Sequence, residues 1–287
     1  MAEPPKRHPA NAPGDWYVDT RCIDCGASRT VAPGLIGRAD GQAVFIRQPA
    51  SEADTEAAWR AVLVCPTASV RRESGGRPPE GLYPHELAPG IFRCGFNARS
   101  SYGAHSYLAV RPAGNVLIDA PRWNGRLREF MARQGGLRHV FLTHQDDVAD
   151  AERYAEAFQA RVWIHERDAR AAPYATDLLR GEAPAEPEAG WRAIPVPGHT
   201  AGSVVYLLED TYLFTGDSLA WSHAAGRLTA FPDACWYSWA EQTRSLERLA
   251  AFAFEWVLAG HGGSGRLPRE EMRAGLAALV RWMGTVG

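Results

Sequence analysis

Short apolar runs alternate with amphipathic stretches from about residue 106 to the end of the chain. Ser106–Val110 and Asn115–Ile118 are predicted strands joined by the turn Arg111-Pro112-Ala113-Gly114, and so form a hairpin. Arg126–Arg133 is a predicted helix, and Arg138–Leu142 a buried strand. Residues 148–160 follow a helical period, with Ala151, Tyr154, Ala155 and Phe158 on one face. Further strands are predicted at Arg161–Ile164, Trp191–Val196, Ser203–Leu208, Tyr212–Phe214 and Trp256–Leu258, with helices over 239–250 and 269–283. Helices interspersed among strands and hairpins predict α/β layers rather than a purely parallel sheet.

The stretch Arg71–Gly81 breaks this pattern, being rich in Pro, Gly and charge with no period, and reads as a linker. The chain therefore divides into a Pro-rich, polar N-terminus (1–14) expected to be disordered, a small module (15–71), the linker (72–81) and a large domain (82–287). Alone, the small module is too short to carry a large core. The 287 residues hold 31 basic and 33 acidic side chains, a formal charge of −2. That balance argues against nucleic-acid or anionic-membrane binding. No apolar run is long enough for a membrane span, and the first fifteen residues lack the apolar core of a signal peptide. Five cysteines are too few, and odd in number, for a disulfide framework, so a cytoplasmic, reducing setting is expected.

Four predicted strands end in the same way. Val140-Phe141-Leu142 runs into Thr143-His144-Gln145-Asp146-Asp147, and Ile194-Pro195-Val196 into Pro197-Gly198-His199-Thr200. Tyr212-Leu213-Phe214 runs into Thr215-Gly216-Asp217-Ser218, and Trp256-Val257-Leu258 into Ala259-Gly260-His261-Gly262. Glycines at three of the four are expected to let the chain turn sharply. If these strands share a sheet, their ends gather three imidazoles and several carboxylates in one cleft. Nitrogen with carboxylate oxygen suits zinc or iron better than magnesium or calcium. Each residue has a plainer reading: a His in a Gly-His-Gly loop is often a turn residue, and Asp147 or Asp150 equally suits the cap of the following helix.

On Thr143-His144, Pro197-Gly198-His199-Thr200, Thr215-Gly216-Asp217 and Gly260-His261, in this order and spacing, residues 82–287 resemble the metallo-β-lactamase superfamily. The resemblance implies an αββα sandwich with metal at one edge. It also implies that Asp119, after the early hairpin, supports the site from behind. The superfamily's His-x-His-x-Asp-His motif is altered here. Without a gap its four places fall on His144, Asp146, Val148 and Ala149; with a two-residue insertion, Asp150 and Ala151 take the last two. The last imidazole is absent either way. His144, His199 and Asp217 survive in both readings as a two-His, one-carboxylate set with open positions. Asp146 and His261 are further candidate ligands, one or two Zn or Fe ions the expected cofactor, and Asp147 or Asp150 the candidate general base.

Cys22-Ile23-Asp24-Cys25 with the distant Cys65-Pro66 is similar to a single-cluster bacterial ferredoxin, making residues 15–71 a small ferredoxin-like α+β module. Ser28 stands where the third cysteine belongs. Cys22, Cys25 and Cys65 are then left to a three-iron cluster, to a cube with one non-cysteine ligand, or to a zinc site, and a module without a cluster is the preferred reading. Three functions follow. The first and preferred is a metal-dependent hydrolase in which metal-activated water attacks an ester, thioester, amide or phosphoester. The second is an iron-dependent oxidoreductase or oxygenase, mononuclear or diiron, served by the ferredoxin-like module and a redox partner. The third is a non-catalytic scaffold with a degraded site. A small-molecule substrate is expected of the first two, and composition leaves the oligomeric state open.

Overall fold

The computed structural model describes residues 6–286. The N-terminal module contains β1 (Trp16–Val18), α1 (Ala27–Val31), β2 (Ile36–Ala39), β3 (Gln42–Phe45), α2 (Glu52–Val64) and β4 (Val70–Arg72). β2 and β3 form a hairpin around Asp40-Gly41, both at positive φ, the geometry that matches strand twist. Ser51 caps α2 by accepting from the Asp54 N–H at 3.1 Å, and the helix buries Ala58, Trp59, Ala61 and Val64. Trp59 meets Trp16 edge-on at 4.8 Å.

Disorder was expected over 1–14, but residues 6–14 are fixed. The Asn11 amide donates to the Val18 carbonyl and its oxygen accepts from the Val18 and Phe45 N–H groups, so buried backbone needs this arm. Residues 1–5 lie outside the described residues.

The first large sheet is built from β5 (His85–Ala88), β6 (Ile91–Arg93), β7 (Tyr107–Ala109), β8 (Val116–Ile118), β9 (His139–Phe141), β10 (Arg161–His165) and β11 (Asp177–Leu179). The strands lie side by side in chain order. Helix α3 (Gly125–Arg133) links β8 to β9 and α4 (Ala151–Phe158) links β9 to β10, as the parallel pairing of these strands requires. The second sheet holds β12 (Trp191–Pro195), β13 (Val204–Leu208) and β14 (Tyr212–Gly216). A small hairpin of β15 (Ala220–Ser222) and β16 (Arg227–Thr229) and helix α5 (Trp239–Leu249) follow. Strands β17 (Trp256–Ala259) and β18 (Gly265–Arg266) then complete the sheet, before the closing helix α6 (Arg269–Met283).

Side chains split by the strand period of two. Tyr107, Ile118 and Phe141 face inward against Trp191, Tyr206 and Phe214, with Phe141 stacked on Tyr206 at 4.7 Å. The alternate residues of the second sheet, Val205, Leu207, Leu213 and Val257, pack with buried residues of α5 and α6. Those of the first sheet, Leu108, Leu117 and Val140, join Leu127 and Met131 of α3 and Tyr154 of α4. This is the αββα sandwich. Trp16, Phe45 and Val64 of the module belong to that same outer cluster, so the module shares its core with the domain.

Candidate metal centre

Parallel strands β8 and β9 of one sheet and β14 and β17 of the other each end at a loop of the same cleft, as does β12. Asp119, His144, Asp217, His261 and His199 follow these strands within a few residues. The glycines beside them serve mainly to make room. Gly216 (φ 48°) and Gly262 (φ 86°) have positive φ, whereas Gly198 and Gly260 do not. A β-carbon at Gly198 would fall inside the Gln242 backbone, and one at Gly260 would lie 2.8 Å from both Asp147 Oδ2 and Asp217 Oδ1. Gly260 thus leaves open the cradle between those carboxylates.

Two trios of donor atoms converge there, His144 with His199 and Asp217, and Asp147 with Asp217 and His261. Within each trio the atoms all lie within 4.8 Å of one another. Asp217 belongs to both. Its Oδ2 stands 3.8 Å from His144 Nε2, 3.7 Å from His199 Nε2 and 3.8 Å from His261 Nε2. Asp146 Oδ2 stands 3.4 Å from His199 Nε2 and 3.9 Å from His144 Nε2. These separations are long for hydrogen bonds but suit a shared cation. Donors bonded at roughly 2.1 Å to one tetrahedral ion stand about 3.4 Å apart.

The two imidazoles are held with bare nitrogens inward. His199 Nδ1 donates to the Ala234 carbonyl at 2.6 Å, which places its proton there and leaves Nε2 a lone pair. His144 Nδ1 is 2.9 Å from Thr143 Oγ1, and that hydroxyl donates in turn to Asp119. Both Nε2 atoms, and both oxygens of Asp147, are buried without a hydrogen-bond partner. Four such atoms around one cleft are costly unless a cation satisfies them.

Charge follows the same plan. Burial alone would raise the Asp217 carboxyl, but His261, His144 and His199 outweigh it and hold it below the usual range. The His199 imidazole close by lowers Asp146. Burial, with Asp217, Asp119 and Asp146 adding, pushes Asp147 well above its ordinary value. Burial brings the His144 imidazole down to about 4, so it stays neutral and able to bind a cation.

Asp119 lies behind the two imidazoles, accepting from the Thr143 N–H at 2.8 Å. Asp150 lies away from the cleft. Its carboxylate turns to the Trp123 N–H at 2.5 Å, at the start of α4, and it is absent from the residues lining the cleft. The expectation of Asp150 as general base is therefore corrected: it fixes the connection to α3. Asp147, on the 3-10 turn Gln145–Asp147, is the residue whose carboxylate reaches the second trio. The tight turn and Ala149 at φ 35° bring in a side chain that neither alignment of the motif places on a ligand position.

Asp168 belongs to none of the sequence motifs. Buried in the 3-10 turn Glu166–Ala171, it accepts from the Gln145 N–H (3.1 Å), the Thr200 hydroxyl (2.5 Å) and the Gly202 N–H (3.1 Å). One carboxylate thereby ties the loop after His144 to the loop after His199. Only a lone Asp marks it in the sequence.

In the N-terminal module Cys22, Cys25, Ser28 and Cys65 line one small space of about 10 Å³. Backbone N–H groups of Asp24 and Ala43 point at Cys22 Sγ (3.4 Å each) and that of Ser69 at Cys65 Sγ (3.2 Å). Burial pushes the Cys25 thiol up to about 11. Three thiols and a hydroxyl around room for about one water do not fit a four-thiolate iron–sulfur cube.

Among the described residues no helix is long and apolar enough to cross a membrane. The profile of the metallo-β-lactamase superfamily matches residues 89–277, and that of the 4Fe-4S single cluster domain of ferredoxin I matches 18–72. A hydroxyacylglutathione hydrolase of Cereibacter sphaeroides is 33% identical over 151 residues, 50% of this chain and 56% of that enzyme. The chain thus spans little more than half that relative's length. YobT of Bacillus subtilis, an uncharacterised protein, is 30% identical over 207 residues, 60% of this chain and 88% of its own. The mono-zinc form of the metallo-β-lactamase FIM-1 from Pseudomonas aeruginosa superposes with a TM-score of 0.54 at 16% identity, covering 70% of this chain and 95% of that one.

Proposed function

Because this chain belongs to the metallo-β-lactamase superfamily, we propose that it is a metal-dependent hydrolase acting on a carboxylic ester or thioester. The observation that carries the reading is the pair of donor trios sharing Asp217, with His144 Nε2, His199 Nε2 and both Asp147 oxygens buried and partnerless. His144, His199 and Asp217, with Asp146, would hold one zinc or iron ion. Asp147, Asp217 and His261 would hold a second. Bound there, such a cation acidifies a water toward neutrality and polarises a carbonyl.

The chain's own residues supply the rest. Thr143 and Asp119 hold His144 in the tautomer that presents Nε2, and the Ala234 carbonyl does so for His199. Asp168 keeps the two loops in register. Asp146, half-exposed in the cleft and anionic at neutral pH, completes the first donor set. Asp147 passes from candidate base to ligand, because an enclosed carboxylate with no proton donor is suited to neutralising a cation. The hydroxyacylglutathione hydrolases, which by name cleave a thioester, favour the hydrolytic reading over the oxidoreductase and the scaffold.

Metal analysis of anaerobically purified protein, alongside thioester hydrolysis, tests this. Close to two zinc or iron ions per chain are expected, lost in His199→Ala and Asp217→Ala but kept in Ser28→Ala. Fewer than about 0.2 ions per chain, or full metal in either of the first two variants, would end the proposal.

A further inference from the structure

The cleft over the donor trios is large, 1490 Å³ against roughly 300–1,000 Å³ for an ordinary small-molecule pocket. The domain does not enclose it alone. Gly26, Thr30, Pro33 and Ile36 of the N-terminal module line it together with Trp221, Phe231 and Trp236 of the domain. The module is locked in place at this wall. Thr30 Oγ1 donates to the Gly262 carbonyl at 3.2 Å, next to His261. The Tyr102 hydroxyl donates to the Ile23 carbonyl, while its ring lies 6.1 Å from that of His261.

The charge on this wall is one-sided. Among the described residues lining the cleft there is one arginine, Arg29, and no lysine. Arg29 is already paired with Asp24, another lining residue, which also takes Arg38 at 2.7 Å. Asp233, outside the donor trios, adds a further carboxylate to this lining. A glutathione thioester carries two carboxylates and one ammonium away from the reacting carbonyl. Holding its carboxylates calls for cationic partners on the wall, and this lining offers only an arginine that is already in an ion pair.

We propose that the ferredoxin-like module serves as a wall of the substrate cleft, and that with Trp221, Phe231 and Trp236 it selects an uncharged, largely apolar ester or thioester over a glutathione thioester. This rests on the hydrolase reading above for the reaction, but not for the binding. The apolar lining contributes through area removed from water, and the aromatic faces add contact at little conformational cost. The module's cysteines need hold nothing for it to act in this way.

The metal-loaded full chain is tested in two arms. In the first, 4-nitrophenyl butyrate and S-lactoylglutathione are compared as substrates. The neutral ester is expected to show a kcat/KM at least about tenfold higher, and Pro33→Asp and Trp236→Ala should each raise its KM by about tenfold with metal content unchanged. In the second, the uncharged dye Nile red is titrated without any substrate. It should bind the wild type and bind Pro33→Asp at least about tenfold more weakly. If neither substrate is hydrolysed but the dye arm behaves as described, the hydrolase reading fails and the apolar wall stands. Preference for S-lactoylglutathione, or a dye affinity that neither Pro33→Asp nor Trp236→Ala changes, overturns the proposal. Pro33 is exposed and Trp236 lies on a separate loop, so folding of at least one variant, checked by circular dichroism, keeps both arms readable.

Discussion

Asp147 and Asp150 lie three residues apart in one acidic stretch, and their surroundings give them opposite work. Both Asp147 oxygens are buried beside Asp217, whereas the Asp150 carboxylate accepts from the Trp123 backbone. Replacing Asp147 with Asn is expected to remove one of two metal equivalents and lower kcat by about 100-fold or more, since it removes a ligand. Asp150→Ala should leave metal content and kcat intact and cost about 1.5–3 kcal/mol, the loss of one hydrogen bond to a carboxylate. Metal analysis, kinetics and denaturant melts on the pair separate the roles, and a fall in kcat for Asp150→Ala would reverse the assignment. The sequence made the two equal candidates because it shows neither the tight turn at Gln145–Asp147 nor the positive φ at Ala149. His144, His199, Asp217 and His261 stood out because each follows an apolar strand within a few residues.

At the scale of elements, the apolar strands of the large domain announced themselves, three-residue β7, β8 and β9 among them, and the strands of the module did not. The strands read from 106 to 118 and from 138 to 258 all have counterparts in the sandwich, with ends moved by a residue or two. β1 and β4 had no comparable signal. Each is three residues long, and they pair across the whole module, Trp16 against Arg72. β9 carries a polar residue whose role also needed the fold. His139 is buried, its Nδ1 accepting from Trp163 Nε1 at 3.2 Å and its Nε2 donating to Glu188 at 3.0 Å, so only the neutral ring satisfies both partners. Burial lowers its pKa, outweighing the opposing pull of Glu188. The unfolded chain therefore takes up a proton that the folded one refuses, and stability contributed by this site is lost as pH falls below about 6.5. Thermal melts from pH 7.5 to 5 should fall more steeply for the wild type than for His139→Asn; equal slopes would show that the ring titrates alike in both states.

The module's apolar residues complete the outer layer of the first sheet, so the whole molecule is expected to behave as one unit. Glu80 sits in the exposed linker, its side chain 91% accessible. A glutamyl-specific protease is expected to cut after it while the two pieces stay together on gel filtration and unfold in a single calorimetric transition. Separation of the pieces, or two transitions, would mean that each part has a sufficient core of its own. The amino-acid order determined the layered class of the fold and the residue types of most candidate donors, since apolar period and residue type are local properties. Only the tertiary structure decided that Asp147 rather than Asp150 enters the cleft, that Asp168 joins the loops after His144 and His199, and that the small module lines the same cleft. Those outcomes depend on contacts between segments far apart in the chain, and a linear pattern carries no distance in space.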